Sequence, residues 1–295
     1  MNEINPLETL MAWAVPPIYI FFIALEFFVG HFINHKEVYN LKDTLISTLM
    51  GLLNVVVDLV MRFVIGLAAL TYFYNLAPFH WQQNATYWVA LVFIQDFAYY
   101  ALHVGEHYCR FFWAVHNIHH SSEKFNFTVA IRSSVFQPLY KFFYYIPLAL
   151  LGFKPLDILL VYALSQTYGF FVHTTSVGKL GFLEWFMVTP SHHKVHHATN
   201  EEYLDKNMSM VFIIWDKIFG TFKEEKEGVE ISFGLSKNLT SFHPKEVIFH
   251  EWAAMWQDVK HAPTFSDKLK YVFARPGWKH QPKQTEIKTE KAVLQ

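Results

Sequence analysis

A chain of 295 residues has room for one large domain, but with 53% hydrophobic, 18% aromatic and only 17% charged residues it departs from soluble domains, which carry about 25% charge. A formal net charge of −1 with no basic stripe excludes a nucleic-acid surface. One cysteine, Cys109, excludes an intramolecular disulfide and reads as a small buried apolar side chain.

The first ten residues lack the positive start of a cleaved signal peptide, so the first apolar run is expected to be retained. A membrane span needs about 20 mostly apolar residues. Residues 11–33 supply that with Glu26 as the only formal charge, and residues 44–76 exceed it. Asp58 and Arg62, four apart within the second run, are expected to form an ion pair on one helix face. A third span is expected over 85–102, running directly into His103. Two further apolar runs, 135–151 and 155–172, are separated by GFKP and read as a helical hairpin that spans or dips part of the way in. The second ends at His173.

From about residue 180 charges become frequent and the long apolar runs stop. The pattern predicts an all-α, multipass transmembrane helical bundle of about four to five membrane helices. It forms one integral-membrane domain over 1–278, with a cap over 103–134 and 174–278. Residues 244–260 have helical apolar spacing, which points to packing on the cap, with a place in the membrane interface as the second option. The polar stretch 279–295 is expected to be a disordered tail.

Histidine spacing carries the chemistry. HVGEHYCRFFWAVHNIHH, residues 103–120, holds His103 and His107 four apart, then His116, His119 and His120. The His-x-x-His-His spacing recurs in His193, His196 and His197. Residues three and four apart share a helix face, so each cluster is able to point at a metal. With His173 these are nine candidate ligands, too many for one ion, since structural zinc takes four and catalytic zinc about three. Two metals close together are expected. Imidazole suits iron, zinc, copper and nickel alike. Metal-ligating histidines usually donate their other N–H to a carboxylate or carbonyl. Asp96, two turns before His103, is the first choice for that role and Asp205 the second.

If the histidines share a site, the loop 34–43 lies on their side with Lys36 and Lys42, as do Arg110, Lys124, Arg132, Lys179 and Lys194. The loop 77–84 lies opposite and has no Lys or Arg; Lys154 is the one dissenter. The positive-inside tendency puts the site on the cytoplasmic side, of a bacterial inner membrane or the endoplasmic reticulum. Metals at the mouth of apolar helices suit a substrate whose reactive carbon lies in the bilayer, a lipid. No P-loop or Gly-x-Gly-x-x-Gly is present, so a separate electron donor is expected.

These motifs resemble the fatty acid hydroxylase and sterol desaturase superfamily of membrane di-metal oxygenases. The resemblance covers about 90–222 and rests on QDFAYYALHVGEH, WAVHNIHHSSEKFN, FVHTTSVGKLG, TPSHHKVHHA and DKN followed by IIWDKIFGTF. The WDKIFGTF ending, GLSKNLTSF and ARPGW are most similar to the alkylglycerol monooxygenase branch, from which the chain departs at Val104 and Tyr108. The resemblance implies two iron ions, dioxygen as co-substrate and insertion of oxygen at a lipid C–H bond. In that branch it further implies a tetrahydropterin reductant and an ether lipid. Desaturation or hydroxylation of a sterol or fatty acid is the alternative within the superfamily. Outside enzymes, the alternatives are a metal transporter and a metal-binding member without turnover.

Overall fold

The computed structural model describes residues 6–281, with side chains from Trp13 onward. The described residues are helical apart from turns and two isolated bridges, Met187–Phe212 and Ala198–Phe233. Four helices are long and apolar enough to cross a membrane: Trp13–Ile33, Leu41–Asn75, Ala85–Tyr108 and Pro155–Val172. At about 1.5 Å per residue, even 18 residues reach about 27 Å, close to the hydrocarbon thickness of about 30 Å.

The first span is α1 (Pro6–Phe28) running into a π turn, Val29–Ile33. The second begins where the Asn40 side chain accepts from the N–H groups of Lys42 and Asp43, satisfying two free donors at the start of α2 (Leu41–Met61). It continues through a π turn, Arg62–Gly66, into α3 (Leu67–Asn75). Asp58 and Arg62 pair at 2.6 Å as their spacing predicts, and Lys141 joins them, bonding Asp58 and, at 2.7 Å, the Tyr162 hydroxyl.

The third span, α4 (Ala85–Tyr108), does not stop at 102 but carries His103 and His107 on its last turns. Extended backbone at Cys109 breaks it, and α5 (Arg110–His120) leaves in a new direction. The run 135–151 is not one helix of spanning length. It forms two 3-10 turns, Gln137–Leu139 and Lys141–Tyr145, then the short α7 (Ile146–Leu150), after a one-turn α6 (Phe127–Ala130). Pro138 and Pro147 sit near the start of their own short helices, where a missing N–H costs nothing, but neither fits inside a continuous one. α7 packs with α3, α4 and α8 (Pro155–Val172) in a cluster that includes Leu70, Tyr87, Leu91, Phe153 and Ile158. The turns at this end are tied by Trp81 Nε1 to the Leu151 carbonyl, 2.9 Å, and Lys154 Nζ to Gln83, 2.9 Å. Lys154 and the loop 77–84 therefore share the end away from the histidines.

At the histidine end, Lys124 Nζ bonds the Glu37 carbonyl and Asn126 the Val38 carbonyl, holding the loop 34–40 to the turn 121–126. Arg132 is fully buried. It donates to Asp43 at 2.8 Å, to Ser121 Oγ and to the Ile118 carbonyl, and so locks α2 to the end of α5. A Cβ on Gly51 would meet the Ile131 carbonyl oxygen at 2.5 Å, so only glycine lets α2 pass this close. The rest of the cap is α9 (Pro190–His196), α10 (Ile214–Phe219), α11 (Pro244–His261) and α12 (Phe265–Phe273). Val247 and Ile248 of α11 pack on Met50, Ile118 and Val135, in line with a cap-packing face. Arg110 fastens α11 to α5 through Glu251 and Asp258, each at 2.7 Å. The expected disordered tail lies outside the described residues from 282 on.

Breaking a buried pair from one side strands a charge and costs about 3–5 kcal/mol. Arg132→Met should therefore lower the thermal midpoint of the detergent-solubilised protein sharply. Adding Asp43→Leu should recover most of the loss; an unchanged midpoint in the single variant would contradict the lock.

Candidate metal centre

All nine predicted histidines meet. They divide into His103, His107, His116, His120 and His196, and His119, His173, His193 and His197, with one ligand atom from each lying within 4.8 Å of the others in its group. The repeated His-x-x-His-His spacing explains the division. Its fourth and fifth positions both neighbour the first on a helix face but are turned about 100° from each other around the axis, and the two groups use that divergence. So His116 and His120 join the α4 pair while His119 crosses to the other group, and His193 and His197 join His119 while His196 crosses back. Each spacing motif serves both groups.

Backbone carbonyls fix the rings. His103 Nδ1 donates to the Met208 carbonyl at 2.7 Å, His196 Nδ1 to Lys206 at 2.9 Å, His173 Nδ1 to Gly169 at 2.6 Å and His119 Nδ1 to Arg132 at 3.2 Å. A carbonyl only accepts, so in these four rings the proton sits on Nδ1 and Nε2 presents a lone pair. Yet His119 Nε2 and His173 Nε2 stand 3.1 Å apart, with His193 Nε2 2.9 Å from the latter. In the other group His103 Nε2 and His116 Nε2 are 3.0 Å apart, and His116 Nε2 and His120 Nε2 3.1 Å. Between His119 and His173, both protonated on Nδ1, two lone pairs face each other and form no hydrogen bond. Metal–nitrogen bonds of about 2.0–2.1 Å, at about 90–109° to each other, separate neighbouring nitrogens by about 2.9–3.4 Å. The donor set fits a divalent cation in each group. His107, His196 and His197 also each bury an Nε2 with no protein partner.

Protonation is suppressed as ligation requires. Burial, reinforced by neighbouring imidazoles, holds His116, His119, His120, His193, His196 and His197 well below the ordinary range. Burial lowers His173 to about 4.

The two predicted carboxylates part company. Asp205 Oδ1 lies 3.2 Å from His107 Nδ1, and Arg275 grips its other oxygen. Asp96 touches no histidine. Its oxygens accept from the Val211 N–H at 2.9 Å, the Phe212 N–H at 3.0 Å and the Trp215 indole at 3.0 Å. Same-face spacing to His103 was the reason for choosing it, but the chain that folds back beside α4 takes it first. Glu106 instead approaches a ligand ring, its Oε2 3.2 Å from His116 Nδ1 while Oε1 accepts from Gln137 and Tyr140.

Residues 205–208 form a collar on the five-histidine group: Asp205 faces His107, the Lys206 carbonyl His196 and the Met208 carbonyl His103. Asp205 and Asn207 both take φ of 54°, the left-handed region that Asp and Asn tolerate best among residues with a side chain. The collar carbonyls and Arg275 went unread in the sequence. A carbonyl has no sequence signature, and Arg275 was visible only within the ARPGW motif. A cavity of about 660 Å³ reaches His107, His120, His196 and His197; Trp113 and Asn117 line it, as do residues 234–240 and 276–277. Asn117 is fully buried there with both amide atoms unpaired.

The depressed histidines fix a pH dependence. The unfolded chain takes up protons as pH falls through the ordinary value of 6.5, while folded His173 does so only near 4. Their stabilisation is thus full above 6.5 and is lost as pH falls towards 4. The thermal midpoint of metal-free protein should be level above that window and fall through it. A midpoint level down to the lower limit would refute neutral burial.

Residues 88–221 match the fatty acid hydroxylase family model, a stretch holding all nine histidines. Alkylglycerol monooxygenase of Homo sapiens is 37% identical over 266 residues, covering 89% of this chain and 58% of that protein. The Danio rerio enzyme of that name is 34% identical over 268 residues, again 89% and 58%. Ornithine lipid hydroxylase OlsE of Rhizobium tropici is 28% identical over 170 residues, 57% of this chain and 51% of that protein. The chain thus spans about half the length of the curated relatives it matches. No solved structure matches it. Residues 88–221 thus match a fatty acid hydroxylase domain, and the chain is similar over most of its length to alkylglycerol monooxygenases.

Proposed function

We propose that this protein is a membrane-bound, non-haem di-iron monooxygenase that hydroxylates a lipid C–H bond. The observation that carries the reading is the convergence of buried imidazole nitrogens in a five-histidine and a four-histidine group beside the ends of apolar helices. The family and the relatives' names support lipid as the substrate class. When bound, two iron ions would activate dioxygen for hydrogen abstraction from carbon.

The balance sets the other reactants. One oxygen atom enters the C–H bond and the other leaves as water, which requires two electrons and two protons from an external reductant. A tetrahydropterin, the donor that the resemblance implies, would reach the centre through the polar cavity over His107 and His197. The positive-inside count favours the cytoplasmic side. In an ether lipid, a hydroxyl placed on the carbon beside oxygen gives a hemiacetal, which collapses to an aldehyde and an alcohol. The 34–37% identity to alkylglycerol monooxygenases, against 28% to the ornithine lipid hydroxylase, favours that substrate.

The chain's own groups hold the reaction in place. Nine neutral rings supply ligand atoms without adding charge. Asp205 and the four carbonyls keep those atoms aimed inward by occupying the opposite ring nitrogens. Glu106 places a carboxyl oxygen 3.2 Å from His116 Nδ1, on the side of that ring away from the group.

Purified protein loaded with ferrous iron and given a reductant and a lipid mixture under labelled dioxygen should yield one labelled lipid product. His119→Ala should abolish it. Iron-loaded protein that labels no lipid and behaves like His119→Ala would overturn the reading. The two groups are separable by metal content: His120→Ala and His193→Ala should each lower the iron bound per chain, and retention of the full complement by both would refute ligation.

A further inference from the structure

α4 supplies a depth scale. Phe93 precedes His103 by ten positions, which at about 1.5 Å per residue places it about 15 Å along the axis from the metal centre, well inside the span Ala85–Tyr108. What lies against this part of α4 is a stretch that follows the second histidine cluster. Phe212 stacks on Phe93 with ring centroids 4.4 Å apart. Trp215 lies 5.1 Å from Phe97, and Phe219 5.9 Å from Phe97 and 5.5 Å from Tyr100.

The second strip follows from the first. The turn Gly181–Trp185 is joined to this stretch by the Met187–Phe212 bridge and by Lys217 Nζ, which donates to the Trp185 carbonyl at 2.7 Å. Val172, Val188 and Ile213 cluster together, and the Tyr168 hydroxyl bonds the Val188 carbonyl, so the same unit also rests on α8. Its outer surface is apolar: Phe182 is 67% exposed, Trp185 75%, Ile218 65% and Phe219 56%. Such a continuous patch is uncommon on a water-facing surface.

We propose that residues 180–186 and 211–219 form a re-entrant wedge immersed in the acyl chains of the histidine-side leaflet, against α4 and α8. This rests on the reading of α4 as a membrane span. Non-helical backbone is tolerated at that depth only when its polar groups are satisfied by protein. Asp96 does this: it satisfies the N–H groups of Val211 and Phe212 and the indole of Trp215. A carboxylate in mid-span is expensive, and this one is used by three donors of the wedge. The Lys217 amine is folded back onto backbone carbonyls, leaving its stem along the apolar face, as lysines at a lipid boundary do. The bilayer is the partner that the patch fits, because it continues the lipid-facing side of α4, where Val89, Phe93 and Phe97 are also exposed. A lipid moving towards the histidines from that leaflet would pass along the wedge.

The single native cysteine makes the test direct. In a Cys109→Ser background, Trp185→Cys and Ile218→Cys would each be labelled with an environment-sensitive fluorophore and the full chain placed in bilayers with brominated acyl chains. Phe63→Cys, on the lipid-facing side of the second span, and Lys226→Cys, exposed in the cap, are the references. Labels at 185 and 218 should shift to the blue and be quenched by bromine as at 63, while the label at 226 is quenched only by aqueous iodide. Labels at 185 and 218 that behave like 226, with 63 still quenched by bromine, overturn the wedge alone. A label at 63 that also reports water overturns the spanning reading and the wedge with it.

Discussion

The centre depends on one constraint: an imidazole that gives its Nδ1 proton to a carbonyl has to present a lone pair on its other side. Four carbonyls impose this, those of Met208, Lys206, Gly169 and Arg132, and they come from three separate stretches of chain. The fold therefore has to bring more than nine side chains together. It also has to place backbone carbonyls behind them, from the last turns of α8 as well as from irregular stretches. Gly169 shows how tight that placement is, since a Cβ there would meet Met210 Sδ at 2.5 Å while its carbonyl holds His173.

Irregular backbone beside apolar helices is costly unless its polar groups are paired, and the helices meet that cost with single carboxylates. Glu26 on the first span accepts from the Phe127 N–H at 2.9 Å and from the Tyr39 and Thr174 hydroxyls. Asp58 on the second binds Lys141 of the broken 137–145 segment. Glu106 on the third receives Gln137 and Tyr140 of the same segment, and Asp96 receives the chain at 211–215. Asp157 on the last holds the Tyr87 hydroxyl and Gln83 at the opposite end. In each case a charge inside or at the edge of a span marks where a non-helical segment docks, and the segments docked at the histidine end carry or support the ligands.

This pattern accounts for what could be read in advance. Spans follow from apolar length, and the histidine clusters follow from helical spacing, because both are properties of contiguous residues. The division of each His-x-x-His-His between two groups departs from the expectation that each cluster points at one metal, since adjacent helical positions diverge by about 100°. The reading of 135–151 as a possible span failed because apolar content says nothing about continuity, which Pro138 and Pro147 interrupt. Asp96 was read as a partner for a histidine on the correct premise that a mid-span carboxylate must have a use. Its use is to dock chain from 115 to 119 positions away, a pairing that no local spacing reveals. The collar at 205–208 was equally hidden, since two of its three contacts with histidines are made by backbone.

A division of labour along the chain follows. The nine histidines, Glu106, Asp205 and the anchoring carbonyls all lie within 88–221. The roof of the cavity over them does not. Residues 234–240 and 276–277, the α11 face with Glu246 and His250, and Arg275 behind Asp205 all come from beyond that stretch. Arg275 also stacks over Tyr108, its guanidinium carbon 4.5 Å from the ring centroid, so the later segment meets the histidine-bearing α4 at one of the positions where the chain departs from the alkylglycerol monooxygenase pattern. The histidine groups and the roof of the cavity over them therefore come from different parts of the chain. The two parts are joined at Arg275 through Asp205, at Glu251 and Asp258 through Arg110, and at Val247 and Ile248 through Ile118, so a change at those positions of 234–277 also bears on the histidine-carrying α5.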